Sequence, residues 1–264
     1  MSISLAKARL YVEHSLESGR TFRFEEEQSH YLMRVMRLHV GDHVSLFNGR
    51  DGEWEAELTS TRQKAAEAIC TVQTRQQTNA PDLWLLFAPL KKSRTDFAVE
   101  KATELGVSVI LPVRTELTNT RRVSVQRLRL VAREAAEQCL GLAVPEIREF
   151  TNLSSVLDSW PSDRPLVVCD EMLRKDATVS ESLLLDRIDN GTGIAVSSDI
   201  ADNWDARGKL AVLVGPEGGF SPNERERLQG FAHSIPVGLG SRLLRAETAV
   251  TAALSIVNIG KFRL

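Results

Sequence analysis

Residues 210–228 read LAVLVGPEGGFSPNERERL. Leu210 to Val214 form an apolar run with no polar interruption, as in a parallel strand buried on both faces. The run stops at Gly215-Pro216-Glu217-Gly218-Gly219, where paired glycines let a ligand approach the backbone closely. Ser221-Pro222-Asn223-Glu224 then has the form of a capping box with proline in the first helical position. The stretch predicts strand, loop and helix in that order. The loop falls at the carboxyl edge of a strand, where open α/β sheets take their ligands. It is neither GxGxxG nor GxxxxGK, which excludes a dinucleotide fingerprint and a Walker loop. A tight turn that binds nothing fits the same residues.

Outward from this stretch the alternation repeats. LWLLFAPL (83–90), SVILPV (108–113), PLVVCD (165–170) and KLAVLV (209–214) are strand-like runs, and strands alternating with helices imply a parallel sheet. Ser93-Arg94-Thr95-Asp96 has a capping-box pattern, predicting a helix with Ala98, Ala102 and Leu105 inward and an end at Gly106. Ser124 opens a second helix, with Leu128, Val131, Ala132, Ala135, Ala136 and Cys139 on one stripe and Arg127, Arg129 and Arg133 mostly outward. The last segment, Ala246 to Ile259, is apolar nearly all round and predicts cover by the sheet and by a second subunit.

A second signal is VGLGSRLLRAETA (237–249). A strand ends in glycine, a loop carries Arg242 and Arg245, and Glu247-Thr248 opens the last helix, where the helix dipole favours a carboxylate. Two glycine-bearing loops at strand ends predict one shared pocket. His39 and His43 have i, i+4 spacing, but Gly41-Asp42 breaks any helix between them, so no metal site is expected. Cys139 reads as core rather than nucleophile. Neither GxSxG nor HExxH occurs.

The first 75 residues read as β-rich. Short strand-like runs occur at RLYV (9–12) and TFRF (21–24), and a short helix is expected within HYLMRVMRL (30–38). Further strands flank the hairpin signal Asn48-Gly49-Arg50-Asp51-Gly52. Several short strands with one helical turn predict a small barrel. QTRQQTNAPD (73–82) is polar and aperiodic and marks the domain boundary.

The whole chain has 264 residues, room for one large domain or two smaller ones. Its 42% hydrophobic and 26% charged residues exclude a disordered or collagen-like chain. No window reaches eighteen consecutive apolar residues, and the N-terminus lacks an apolar core, so neither a membrane span nor a secretory signal is expected. Cys70, Cys139 and Cys169 form no CxxC pair, which excludes a disulfide framework or zinc knuckle and favours a reducing cytoplasm. The net charge of −2 conceals segregation: residues 91–133 carry ten Lys+Arg against four Asp+Glu, and residues 146–206 five against thirteen. The basic stretch fits either a phosphate backbone or a solvated helix face.

GPEGGFSPNE (215–224) together with LGSRLLRAETAVTAAL (239–254) resembles the SPOUT methyltransferases. More narrowly, it is similar to the family that methylates N3 of a uridine in small-subunit (16S) ribosomal RNA. ARLYV (8–12), HYLMRVMRLHVGD (30–42), FNGRDGEWEAEL (47–58), EKATELGVSVILPV (100–113) and EAAEQCLGLAVPEI (134–147) extend the likeness through the chain in order.

The resemblance implies an α/β chain: a PUA-like RNA-binding β-barrel over 1–75, a linker over 76–82, and an α/β trefoil-knot methyltransferase domain over 83–264. It implies S-adenosyl-L-methionine as cofactor, no metal, the small-subunit ribosomal RNA or ribosomal subunit as partner, a homodimer, no membrane, and a cytoplasmic location. Carried onto this sequence, Val214, Gly215, Glu217, Gly218, Gly219, Leu239, Gly240, Leu243, Leu244, Arg245, Thr248 and Ala249 hold the cofactor. Arg245 stabilises charge on the uracil carbonyls, and Glu217 or Glu247 accepts the N3 proton. Arg9, Arg34, Arg37, Lys91, Arg94, Arg121 and Arg122 meet RNA, and the target base must be unpaired or flipped. Two rivals stay open. A SPOUT ribose 2′-O methyltransferase acting on tRNA or rRNA ranks lower because LLRAETA stands where that branch carries a Ser-Leu-Asn type motif. A non-catalytic RNA-binding ribosome-assembly factor ranks lower because both glycine-bearing loops are intact.

Overall fold

The computed structural model describes residues 6–62, 64–175 and 208–262; residues 176–206 of the acidic stretch lie outside them. Two compact units emerge, Met1–Ala80 with Ala136–Val144, and Pro81–Ala135 with Pro145–Leu264.

In the first unit, β1 (Arg9–Tyr11), β2 (Thr21–Arg23), β3 (His43–Phe47), β4 (Glu53–Ser60) and β5 (Glu67–Arg75) form one sheet in the order β1-β3-β4-β5-β2. β1 runs parallel to β3 and the other pairs are antiparallel. The β4–β5 register shifts at three places. Such bulges bend and twist a pair, and the sheet curls into half a barrel. Leu10, Phe22, Val44, Leu46, Leu58 and Ala68 pack inside it. The β3–β4 turn is fixed by its side chains. Asn48 Oδ1 accepts the N–H of Arg50 and of Asp51, and Asp51 accepts the N–H of Leu16 and the amide of Asn48. Those donors, Leu16 first, hold the Asp51 carboxyl below its usual range.

The helix expected within 30–38 lies further toward the N-terminus. α1 (Glu26–His30) continues into a π turn, Tyr31–Val35, and the chain has left it at Arg37, whose φ is 55°. The apolar positions are not one helical face: Leu32 and Leu38 are buried, whereas Val35 is 61% exposed. Arg9 also departs from expectation. Its side chain is only 10% exposed and pairs with Glu53 at 2.7 Å. It also donates to the carbonyls of Ala136 and Gly141 and lies over the Phe47 ring. A guanidinium so committed is a structural cation, not a phosphate contact.

In the second unit, β6 (Leu83–Phe87), β7 (Val109–Arg114), β8 (Glu146–Ile147), β10 (Leu166–Cys169), β11 (Leu210–Val214) and β12 (Ser234–Val237) form a parallel sheet in the order β12-β10-β11-β6-β7-β8; β9 (Thr151–Asn152) pairs with β7. The helices are α2 (Lys92–Glu104), α3 (Val125–Gln138), α4 (Leu153–Asp158), α5 (Pro222–Gln229) and α6 (Ala246–Phe262). α3 carries most of the expected stripe, with Leu128, Ala132, Ala135 and Ala136 buried; Val131 is half-buried, and Cys139, expected in the core, is half-exposed just past the helix end. α2 starts one residue before the proposed box: Lys91 is its N-cap without a side-chain bond. The Thr95 hydroxyl is taken instead by the N–H and C=O of Leu90. α6 packs on α2 and β11, and Ala253 and Leu254 are fully buried by the chain's own elements. Much of the apolar character that predicts a second subunit is therefore satisfied within one chain.

Gly52, at φ +78°, ends the β3–β4 turn, and a Cβ there would lie 2.2 Å from the Arg75 carbonyl oxygen. Gly41, at φ +87°, has nothing within 4 Å of its Cβ position. Gly41→Ala should cost only the backbone strain, about 1–2 kcal/mol. Gly52→Ala should cost that plus displacement of β5, about 3 kcal/mol or more. Thermal melts of the two variants compare them directly; equal losses would show that β4 and β5 do not approach as closely as described.

Candidate active site

Sheet register brings three loops together. Cys169 at the end of β10 is level with Val214 of β11 and Val237 of β12. The chain therefore leaves the sheet side by side at 170–171, 215–220 and 238–245. Between them lies a pocket of about 540 Å³, counted to its open mouth. Val214, Gly215, Gly219, Leu239, Gly240, Leu243, Leu244 and Ala249, all expected, line it. So do Cys169, Asp170, Glu171, Pro216, Phe220, Arg242 and Ala246, which the sequence reading did not single out.

The floor is rigid for local reasons. Phe220 folds back so that its ring lies 3.1 Å from where a Gly215 Cβ would stand. Gly219 has φ +68°, and a Cβ there would sit 2.7 Å from Glu171 Oε1. Any larger residue at 219 is both strained and crowded. Ser221 caps α5, its hydroxyl accepting the Glu224 N–H while Glu224 accepts the Ser221 N–H, the full capping box. Glu224 also accepts the N–H of Glu116. Asp170 pairs with Arg225 of α5 at 3.1 Å. Cys169 is fully desolvated, which pushes its thiol up to about 12.

The lining is divided in character. Val214, Leu239, Leu243, Leu244 and Ala249 are apolar, and Leu243 is 59% exposed, an open apolar surface at a pocket wall. Asp170, Glu171 and Arg242 supply charge. Such a pocket accepts a flat apolar group together with polar and cationic parts.

The remaining expected residues lie outside this lining. Arg245 and Thr248 are exposed on the chain beside it, and a Cβ on Gly218 would meet Leu117 at 3.6 Å. Glu217 and Glu247 are both joined to Arg94, at 3.3 and 3.5 Å. Arg94 was expected against RNA; here it is engaged by two carboxylates. Lys91 and Arg122 line a separate groove with Lys92, Ser124 and Arg127, where Arg127 is paired with Asp96. Arg121 is exposed, as are Arg34 and Arg37 in the first unit. Among the described residues no group of three His, Cys, Asp or Glu side chains is placed to hold a metal, and no helix is long and apolar enough to cross a membrane.

An RNA methyltransferase domain family matches residues 77–258, and an RNA methyltransferase PUA domain matches 24–69. The chain is similar to the Ribosomal RNA small subunit methyltransferase E of Rickettsia conorii, 27% identical over 252 residues that cover 95% of each chain. It is also similar to the crystal structure of a Ribosomal RNA small subunit methyltransferase E from Neisseria gonorrhoeae bound to S-adenosyl methionine. There the identity is 25%, the TM-score 0.77, and the match covers 96% of this chain and 97% of that one. A Legionella pneumophila putative methyltransferase, 22% identical over 96% of this chain and 97% of that one, shares the fold with a TM-score of 0.77.

With its thiol held at about 12, Cys169 is protonated at pH 8 and unreactive, because the thiolate is the nucleophile. Iodoacetamide should therefore label half-exposed Cys139 in the native chain and reach Cys169 only after unfolding. Rapid native labelling of Cys169, read by peptide mass, would mean that the pocket floor is open.

Proposed function

The chain belongs to the RNA methyltransferase family, and from that premise we propose that it transfers the methyl group of S-adenosyl-L-methionine to N3 of a uridine in 16S ribosomal RNA of the small subunit. The observation that carries this reading is the pocket where the 215–220 and 239–249 loops meet. These are the loops on which the resemblance rests.

The residues present suit the cofactor. Leucines and backbone edges fit an adenine ring, and the Asp170 and Glu171 carboxylates suit ribose hydroxyls or the cationic methionyl part. S-adenosylmethionine, when bound, supplies a methyl carbon on a sulfonium, and the carbon–sulfur bonding pair leaves with sulfur. The chain's task is then to orient the base, exclude water and manage the N3 proton. Val214, Gly215, Gly219, Leu239, Gly240, Leu243, Leu244 and Ala249 form the holding surface. Arg245 lies between Leu244 and Ala246, both of which line the pocket. Exposed there, it meets the ring carbonyls and stabilises the charge left when N3 loses its proton. Glu217 and Glu247 are the acceptors within this reading.

RNA is met by Lys91 and Arg122 in the groove, and by Arg34, Arg37 and Arg121, all exposed. Arg9 is committed within its own unit to Glu53 and to backbone carbonyls, whereas Arg94, a third exposed, is shared with Glu217 and Glu247. Gly218 and Thr248 complete the two loops and stay with the cofactor site in this reading. The division at 1–75, 76–82 and 83–264, the trefoil knot, the homodimer and the cytoplasmic location belong to the same reading and rest on the resemblance.

Mass spectrometry of 16S ribosomal RNA from cells with and without this gene tests it. One N3-methyluridine should vanish in its absence. Loss of a ribose-methylated nucleotide instead would favour a 2′-O methyltransferase, and an unchanged modification set would favour an assembly factor.

A further inference from the structure

Arg94 lies in the first turn of α2 and reaches two loops at once. Its Nη1 stands 3.3 Å from Glu217 Oε1, and its Nε 3.5 Å from Glu247 Oε1. Glu217 follows Pro216 in one pocket loop, and Glu247 follows Ala246 at the start of α6; both preceding residues line the pocket. A planar guanidinium with separated donors can serve two carboxylates together, so Arg94 sets the spacing of the two loops.

The two glutamates differ. Glu217 is exposed, and an exposed pair of that kind contributes little by itself. Glu247 has a side chain only 13% exposed, and its Oε2 is buried with no hydrogen-bond partner. A buried carboxylate oxygen without a donor is costly. Its neighbour Ala246 lines the pocket, and a ring N–H brought to that wall, with a local shift that uncovers Oε2, is a donor of the missing kind.

We propose that Arg94 is a positioning residue that holds Glu247, through a bridge shared with Glu217, as the acceptor of the uracil N3 proton. This rests on the N3 reading above. The proton passes from N3 to Glu247 Oε2, and the electron pair left on N3 forms the bond to the methyl carbon. Arg94 itself touches neither substrate.

The test uses the full chain as wild type, Arg94→Ala, Arg94→Lys, Glu247→Gln and the double variant Arg94→Ala/Glu247→Gln. Three quantities are measured: single-turnover methyl transfer on bound small-subunit RNA, cofactor affinity by calorimetry, and RNA affinity against salt. Arg94→Ala and Glu247→Gln should each slow transfer about a hundredfold, the scale of a lost general base. The double variant should be no slower than the slower single one, since the two act as a unit. Arg94→Lys, which keeps the charge but not the separated donors of the fork, should recover only part of the rate. The salt slope of Arg94→Ala should match wild type. A slope smaller by about one with the rate kept would make Arg94 a phosphate contact and overturn the proposal. Losses that multiply in the double variant would overturn it as well. Wild-type product methylated at an atom other than N3, read by mass, overturns the underlying function instead, so the two failures are distinguishable.

Discussion

Strand β11 has neither a free edge nor a free face. Leu210 to Val214 are all buried, with β10 on one side and β6 on the other. A parallel strand held this way cannot slip without exposing its apolar set, so the height of Val214 is fixed. From that point the chain has few choices. Phe220 returns onto Gly215, Gly219 turns through positive φ against Glu171, and the Ser221–Glu224 box fixes the start of α5. The loop is defined from strand end to helix cap without any ligand. The same register sets the ends of β10 and β12 level with it, so the pocket walls follow from the sheet.

The arginines show how burial assigns roles to like side chains. Arg9 is enclosed by Glu53, three carbonyls and the Phe47 ring. A buried cation is tolerated only when so fully partnered. Arg164, with a side chain 4% exposed, pairs with Asp82, donates to the carbonyls of Asp82 and Leu210 and lies over Trp84, but leaves its buried Nε without a partner. Arg94 is intermediate and bridges two loops. Arg34, Arg37, Arg121 and Arg122 stay exposed. Within one sequence, the same residue type serves as scaffold, brace and open charge.

What could be read from the sequence was local. The strand, glycine loop and capped helix at 210–228 are encoded in adjacent residues, and so are the Asn48–Gly52 turn and the α3 stripe. Misreadings arose where a local pattern had a competing partner. Ser93–Asp96 looks like a cap, but the helix already begins at Lys92 and Asp96 is paired with Arg127; 30–38 is helical only to Val35, as a π turn that continues α1, and its apolar residues divide between that turn and a loop. Asp170 and Glu171 were not legible as site residues, and Arg242 only as part of the second glycine-bearing loop. Asp170 and Glu171 reach the pocket through pairing of β10 with β11 and β12, a register no single segment carries. The commitment of Arg9 to carbonyls at 136–141 is equally non-local. Much of the covering of α6 by α2 and β11 was legible only as a demand for burial, with the partner left open.

In this reading the sheet-fixed turn at 215–219 forms the floor of the cofactor pocket. Calorimetric titration of S-adenosylhomocysteine, with a chelator present, into wild type and Gly219→Ala measures this most directly. Wild type should bind one molecule per chain. Gly219→Ala, which forces a Cβ to 2.7 Å from Glu171 Oε1 at φ +68°, should bind about tenfold more weakly or worse, the scale of such backbone strain. No binding by folded wild type, or equal binding by both, would rule out the turn as the pocket floor.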